Sequence, residues 1–254
     1  MVNSFKPDLL AGRVALVTGA SNGLGRHFAH VLAEAGAHVI AAARSEARLE
    51  ELRGELEGAG LSCETAVLDV TDPASIATIA LRHQAVDILV NNAGIARAGA
   101  ALNQTPDDWD VVLDTNLKGT FFLSQAVAKV MKGRGQGGAI VNIASIAGIR
   151  QNAGVAPYAI SKAGVVQMTK VLALEFARFG VRVNAIAPGS FPTEITGDYW
   201  QSEAGQATIG RIPQRRLGAY GDLDGPLLLL ASDLSSYMTG AVLVVDGGHA
   251  VASL

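Results

Sequence analysis

The chain has 254 residues, 49% of them apolar, 17% charged and 5% aromatic, with a net charge of −3. That length carries one large hydrophobic core, so a single domain spanning 1–254 is expected. No sustained Lys/Arg run is present and no stretch approaches the ~20 apolar residues of a membrane helix, which argues against a nucleic-acid partner and against a membrane span.

Short apolar, β-branched runs alternate with longer helical patterns. Strands are predicted at Val14–Val17, Ala37–Ala42, Ala66–Leu68, Val86–Val90, Ala139–Ile143, Val181–Ala187 and Ala241–Val245, and helices over 24–35, 46–58, 73–83, 107–131, 157–178 and 222–231. Strands that are apolar throughout and alternate with helices predict a parallel sheet covered on both faces, a doubly wound α/β fold of the Rossmann type with seven strands. One long irregular stretch remains, Pro188–Tyr220, and its length marks it as a substrate lid over 188–220.

The first strand runs into Thr18-Gly-Ala-Ser-Asn-Gly-Leu-Gly25, which opens the first helix. Glycines 19, 23 and 25 allow a tight turn, close backbone approach to a pyrophosphate and tight helix–sheet packing, while the helix N-terminus favours an anion. Beyond the second strand comes Ala43-Arg44-Ser45, with no acid until Glu46. An acid there would bind an adenosine 2′-hydroxyl, whereas the Arg44 guanidinium suits a 2′-phosphate, so NADP(H) is favoured. NAD(H) stays open as the alternative, because Asn22 leaves the glycine turn without a second basic residue.

Tyr158 and Lys162 stand four apart on one helical face. A nearby ammonium favours the phenolate, so the lysine is expected to lower the tyrosine pKa from its usual value of about 10 toward that of a working proton donor. Ser145 ends the strand thirteen positions earlier, where its hydroxyl could bind a substrate oxygen. Cys63 is the only cysteine, which removes intrachain disulfides and multi-cysteine metal sites, and the five histidines form no metal signature. With no apolar leader pattern in the opening residues, a cytoplasmic protein without a metal is expected.

The spacing of glycines 19, 23 and 25 resembles the short-chain dehydrogenase/reductase family. The resemblance extends through Asp69-Val70, Asn91-Asn-Ala-Gly94, Asn116, Ser145, Tyr158, Lys162, Pro188-Gly189, Thr193 and Asp246-Gly-Gly248. It implies cofactor contacts from Gly19, Ser21, Asn22, Gly23, Leu24, Arg44, Asp69, Val70, Asn91, Ala93, Gly94, Pro188, Gly189, Phe191 and Thr193, with Tyr158 and Lys162 at the nicotinamide ribose. Asp69 would accept from the adenine amine. Tyr158 would pass a proton to a carbonyl as hydride arrives, Ser145 would polarise that carbonyl, and Asn116 would hold a water connecting Lys162 to solvent. Asn92 divides between a turn role and a cofactor role.

Ala147 and Asn152 are expected beside Ser145 and Tyr158 in the substrate wall, with Ile149, Phe191, Ile195, Tyr199 and Trp200 forming an apolar mouth suited to a hydrophobic ketone or secondary alcohol. The overall pattern is also similar to 3-oxoacyl-[acyl-carrier-protein] reductases, whose acidic carrier would need a basic patch beside that mouth, with Lys129, Lys132, Arg134 and Arg178 as candidates. A non-catalytic dinucleotide sensor is the rival of another class. The apolar residues Val165, Val166, Met168, Leu172 and Phe176 exceed what one sheet face needs and suggest a helix–helix subunit contact. The resemblance implies a homotetramer.

Overall fold

The computed structural model describes residues 8–193 and 197–252. Seven strands form one sheet: β1 (Val14–Thr18), β2 (His38–Ala43), β3 (Cys63–Val67), β4 (Ile88–Asn91), β5 (Gly138–Ile143), β6 (Val181–Pro188) and β7 (Val242–Val245). Their order is β3-β2-β1-β4-β5-β6-β7, and each neighbouring pair is parallel. The order reverses between β1 and β4, so the crevice where ligands bind in such sheets opens at their C-terminal ends.

Alternate side chains of each strand feed opposite cores, as the two-residue period requires. Ala15, Val17, Val39, Ala41, Ile88 and Val90 enter one cluster, covered by α1 (Gly23–Glu34), α2 (Glu46–Gly58) and α8 (Asp224–Ala231). Leu16, Ile40 and Leu89 enter the other, beneath α3 (Pro73–Arg82), α5 (Thr120–Arg134) and α6 (Ala156–Phe176). Helices on both faces explain why the inner strands read as unbroken apolar runs.

Three elements depart from the sequence reading. The edge strand β3 begins three residues before the expected Ala66, because only one of its sides is covered and Glu64 and Thr65 break the apolar run. The single helix expected over 107–131 is α4 (Pro106–Leu113), a π-helical turn at Asp114–Gly119, and then α5. At the end of that turn Gly119 lies against the Val70 backbone, where a Cβ would stand 2.5 Å from the carbonyl oxygen. The stretch expected to be irregular contains a 3-10 turn at Gly197–Gln201 and the helix α7 (Glu203–Arg211), started by the Ser202 hydroxyl accepting from Gly205 N–H at 3.1 Å. Gly205 and Gly210 mask α7 from a propensity reading.

The apolar residues expected at a subunit contact divide differently as well. Val165, Met168 and Leu172 are core, with Val166 and Phe176 packed against them. The exposed apolar face of α6 is instead Ile160, Val171 and Leu174, and α4 and α5 add Trp109, Val111 and Phe122. No helix among the described residues is long and apolar enough to cross a membrane.

Candidate active site

A cleft of about 600 Å³ opens at the C-terminal ends of β1, β2 and β4. Gly19, Ser21, Asn22, Gly23, Leu24, Arg44, Asp69, Val70, Ala93, Gly94 and Thr193 all line it. The glycine turn is shaped by contacts a side chain would break. Gly19 has φ +65°, and a Cβ there would meet the Asn92 side-chain nitrogen at 2.9 Å. A Cβ on Gly25 would meet the Gly19 carbonyl oxygen at 2.2 Å, whereas Gly23 at φ +52° has open space before it.

Thr18 links the two turns that border the cleft. Its hydroxyl donates to the Val90 carbonyl and accepts from the N–H groups of Asn92 and Ala93, both at 3.0 Å. The Asn92 amide donates in turn to the carbonyls of Thr18 and Gly19. Asn92 thus has the turn role. Asn91, expected at the cofactor, directs its amide away from the cleft, donating to Ser124 Oγ at 2.8 Å and Asn142 Oδ1 at 2.9 Å. Asn142 passes the chain on to Thr169 at 2.9 Å, so β4, β5 and α6 are tied together by buried polar groups.

These residues fit a dinucleotide. The Asn22 side chain does not cap α1, so the first-turn N–H groups face the space left by Gly23 and can take a pyrophosphate. Asp69 accepts from the Thr71 N–H at 2.9 Å and from its hydroxyl at 2.7 Å, and these bonds, backbone first, hold the carboxyl below the usual carboxylate range. It is an ionised acceptor for an adenine amine. Arg48 also lines the cleft, one helical turn from Arg44 in the first turn of α2, a second cation that the i, i+4 spacing could have flagged. Thr18, Ile95, Ala96, Arg97 and Thr115 join the lining without having been singled out.

Beyond the cleft lie Ser145, Tyr158 and Lys162. Ser145 ends the β5 segment and caps a 3-10 turn at Ile146–Gly148, accepting from Ala147 N–H at 3.1 Å. The Tyr158 phenol lies near that hydroxyl. Burial pushes the phenol above its ordinary value and the Ser145 hydroxyl opposes that rise. The expected lowering by Lys162 is not the dominant effect, because the Lys162 Nζ donates to the Ile143 carbonyl at 2.7 Å and stands 5.7 Å from the centre of the tyrosine ring. Burial alone lowers the ammonium to about 8.

Asn116 occupies the π-helical turn and is 1% exposed. Its carbonyl accepts from Ile95 N–H at 2.8 Å, and its amide donates to the Ile95 carbonyl at 2.9 Å and to Ser161 Oγ at 3.0 Å. A Cβ on Gly94 would stand 3.3 Å from Asn116 Oδ1 and 3.5 Å from Lys162 Nζ, so this glycine admits both groups to the strand-4 turn.

Ala147 is half-buried beside Ser145, whereas Asn152 is exposed on the loop before α6. Ile149 and Tyr199 are exposed, and Trp200 is held by its Nε1 donating to the Phe191 carbonyl at 3.3 Å. Phe191 is not a mouth residue: its ring is buried against Gly218, where a Cβ would meet the ring at 2.3 Å. Ile195 lies outside the described residues. Pro188 ends β6, and Gly189 N–H donates to the Val245 carbonyl at 2.9 Å.

The basic group proposed for a carrier protein lies elsewhere. Lys132 and Arg178 both stand over the Phe179 ring, at 4.6 Å and 4.7 Å from its centre, and Arg134 pairs with Asp87 at 2.9 Å. These residues sit where α5 and α6 end, before β5 and β6 begin, at the opposite end of the strands from Ser145. The two histidines of α1 are engaged too, His27 with Asp224 at 2.6 Å and His30 with Glu55 at 3.5 Å.

The family model for short chain dehydrogenases matches residues 13–204. A 3-oxoacyl-[acyl-carrier-protein] reductase of Thermotoga maritima is 41% identical over 243 residues, covering 94% of this chain and 98% of the relative. Gluconate 5-dehydrogenase of Gluconobacter oxydans is 40% identical over 252 residues, covering 96% and 98%. A solved gluconate 5-dehydrogenase from Burkholderia cenocepacia, in complex with NADP and tartrate, superposes with a TM-score of 0.94 at 36% identity, covering 98% of this chain and 99% of the other. The chain therefore belongs to the short-chain dehydrogenase family, as an NAD(P)-dependent oxidoreductase acting at CH–OH and C=O groups.

Proposed function

We propose that the protein interconverts a small ketone and its secondary alcohol with NADP(H), using Tyr158 as the general acid and base. The observation that carries this reading is the Tyr158 phenol set beside Ser145 and beside the buried Lys162, whose Nζ stands 5.7 Å from the tyrosine ring centre. The nicotinamide supplies or accepts the hydride. Tyr158, kept protonated near neutral pH by its burial, gives its proton to the carbonyl oxygen in reduction and takes it back in oxidation. Ser145 donates to the same oxygen and holds it in line, an oxyanion-type contact. Lys162 supplies positive charge below about pH 8, and Asn116 fixes the π-helical turn and the Ile95 backbone beside it.

Arg44 and Arg48 together support NADP(H) over NAD(H), since two guanidiniums answer the absence of a basic residue in the glycine turn. Exposed Ile149 and Tyr199 suit a substrate with an apolar body. A homotetramer is part of the same reading, supported by the exposed apolar residues of α4, α5 and α6. The only cysteine, Cys63, is a buried thiol that burial pushes up to about 11, an inert group in keeping with the cytoplasm.

Reduction of a carrier-bound 3-oxoacyl group is the second reading, supported by the likeness to the Thermotoga maritima reductase. Against it stands the position of Lys132 and Arg178 at the N-terminal ends of β5 and β6, away from Ser145. The deciding assay for Tyr158 is NADPH-dependent reduction of a ketone panel. Tyr158→Phe should lower turnover by about 10²- to 10⁴-fold or more while the variant still binds NADPH, measured by fluorescence titration. Near wild-type turnover would remove Tyr158 from this role.

A further inference from the structure

Beside the reacting centre, three segments meet that the reaction itself does not use. Arg150 lies five residues beyond Ser145, and its backbone N–H donates to the Ile146 carbonyl at 2.7 Å, which closes the turn that follows Ser145. Its Nη1 donates to the His249 carbonyl. The C-terminal turn carrying His249 follows Asp246, which presses on Gly189 so closely that a Cβ there would stand 2.6 Å from Asp246 Cβ. The end of the lid helix packs on the same turn: Gln214 N–H donates to the Gly247 carbonyl at 3.2 Å, and a Cβ on Gly247 would meet Ile212 Cγ2 at 2.9 Å. Arg211, the last residue of α7, is thereby brought to His249.

Charge at this corner is unbalanced. Both oxygens of Asp246 accept backbone N–H groups, from Gly248 at 2.8 Å and Ala250 at 2.6 Å. Neither Arg150 nor Arg211 pairs with a carboxylate among the described residues. The His249 Nδ1 is enclosed without a hydrogen-bond partner. Burial first, then the Arg150 charge, and then Arg211 against the opposing Asp246, hold this imidazole below its ordinary range. Two guanidiniums and an imidazole thus meet at one corner, which is joined to Ser145 by the short turn that ends at Arg150.

We infer that Arg150, Arg211 and His249 form an anion subsite that receives the carboxylate of a small oxo or hydroxy acid, placing its carbonyl at Ser145 and Tyr158. The inference deepens the proposed carbonyl reduction and rests on Ser145 and Tyr158 being the reacting centre. A guanidinium fork matches a carboxylate in two parallel hydrogen bonds. The shortness of the turn from Ser145 to Arg150 selects a small acid, since the phosphate of a carrier arm stands many bonds from its thioester. Arg211 at the end of α7 ties the carboxylate to that helix.

The test uses the full-length protein and 2-oxo to 5-oxo monocarboxylates, each assayed with NADPH beside its methyl ester. The wild type should favour at least one acid over its ester, and Arg211→Gln should reduce that ratio of kcat/KM by about tenfold, with Arg150→Gln Arg211→Gln reducing it further. Equal use of acid and ester by the wild type, or a ratio untouched in both variants, would overturn the inference. Malonate binding to the NADP⁺ complex, read by calorimetry, decides the subsite independently of turnover. It should be weakened about tenfold or more in the double variant, and equal binding, or binding of inorganic phosphate with none of malonate, overturns the carboxylate assignment. Absence of turnover with every acid and ester would instead defeat the carbonyl-reductase reading, while the malonate result still stands on its own.

Discussion

Replacing Lys162 with methionine should stabilise the fold near neutral pH while it disables the enzyme. Burial lowers the ammonium from 10.5 to about 8, which corresponds to a penalty on the order of 3 kcal/mol for keeping the charged form folded. The sign follows from proton binding. The unfolded chain holds this proton more tightly than the folded one, so the penalty is complete below about pH 8 and fades as pH rises toward 10.5. Methionine fills nearly the same volume without a charge, but it forfeits the 2.7 Å bond to the Ile143 carbonyl, a loss of about 1–3 kcal/mol. Near pH 7 the balance is a gain of about 1 kcal/mol, and near pH 10 it becomes a loss of similar size. Urea unfolding of both proteins at pH 7 and pH 10 measures the two values. A variant whose stability difference from wild type is the same at both pH values would refute the reasoning, because the buried charge would then carry no penalty.

Two further outcomes concern cofactor choice and pH. Arg44→Asp removes an attraction and adds like-charge repulsion, so kcat/KM should shift from NADPH toward NADH by a few kcal/mol at most, about 10²-fold, when compared at one ionic strength. A wild type already preferring NADH would sink the assignment of Arg44 and Arg48 to a 2′-phosphate. Because burial raises the Tyr158 phenol, its protonated form persists through neutral pH, so ketone reduction should hold steady there while alcohol oxidation climbs through the alkaline range as the phenolate forms. An oxidation rate flat from pH 7 to pH 10 would mean that Tyr158 does not serve as the base.

Periodicity and local chemistry carried much of the architecture. Buried strands read as apolar runs, and the glycine turn between β1 and α1 announced its role through three spaced glycines. The same is true of the Tyr158–Lys162 spacing and of Arg44 after β2, since each depends on neighbours within one turn of helix or one loop. What was hidden in sequence was mostly a matter of distant contact. The π-helical turn at Asp114–Gly119 forms where Gly119 meets Val70 and Asn116 meets Ile95, and no pattern within residues 107–131 encodes those partners. Phe191 reads as an exposed lid aromatic but is buried because Gly218, distant in sequence, leaves room for its ring.

The fold class, the glycine turn after β1 and the candidate reacting side chains were therefore legible in the sequence alone. Only the tertiary structure decided the direction of the tyrosine and lysine pKa shifts and the turn role of Asn92. It also decided the placement of the basic group at the opposite end of the strands from Ser145 and the meeting of Arg150, Arg211 and His249. The physical reason is that backbone periodicity is a local property, whereas desolvation and the sum of neighbouring charges depend on which distant segments the sheet order brings together.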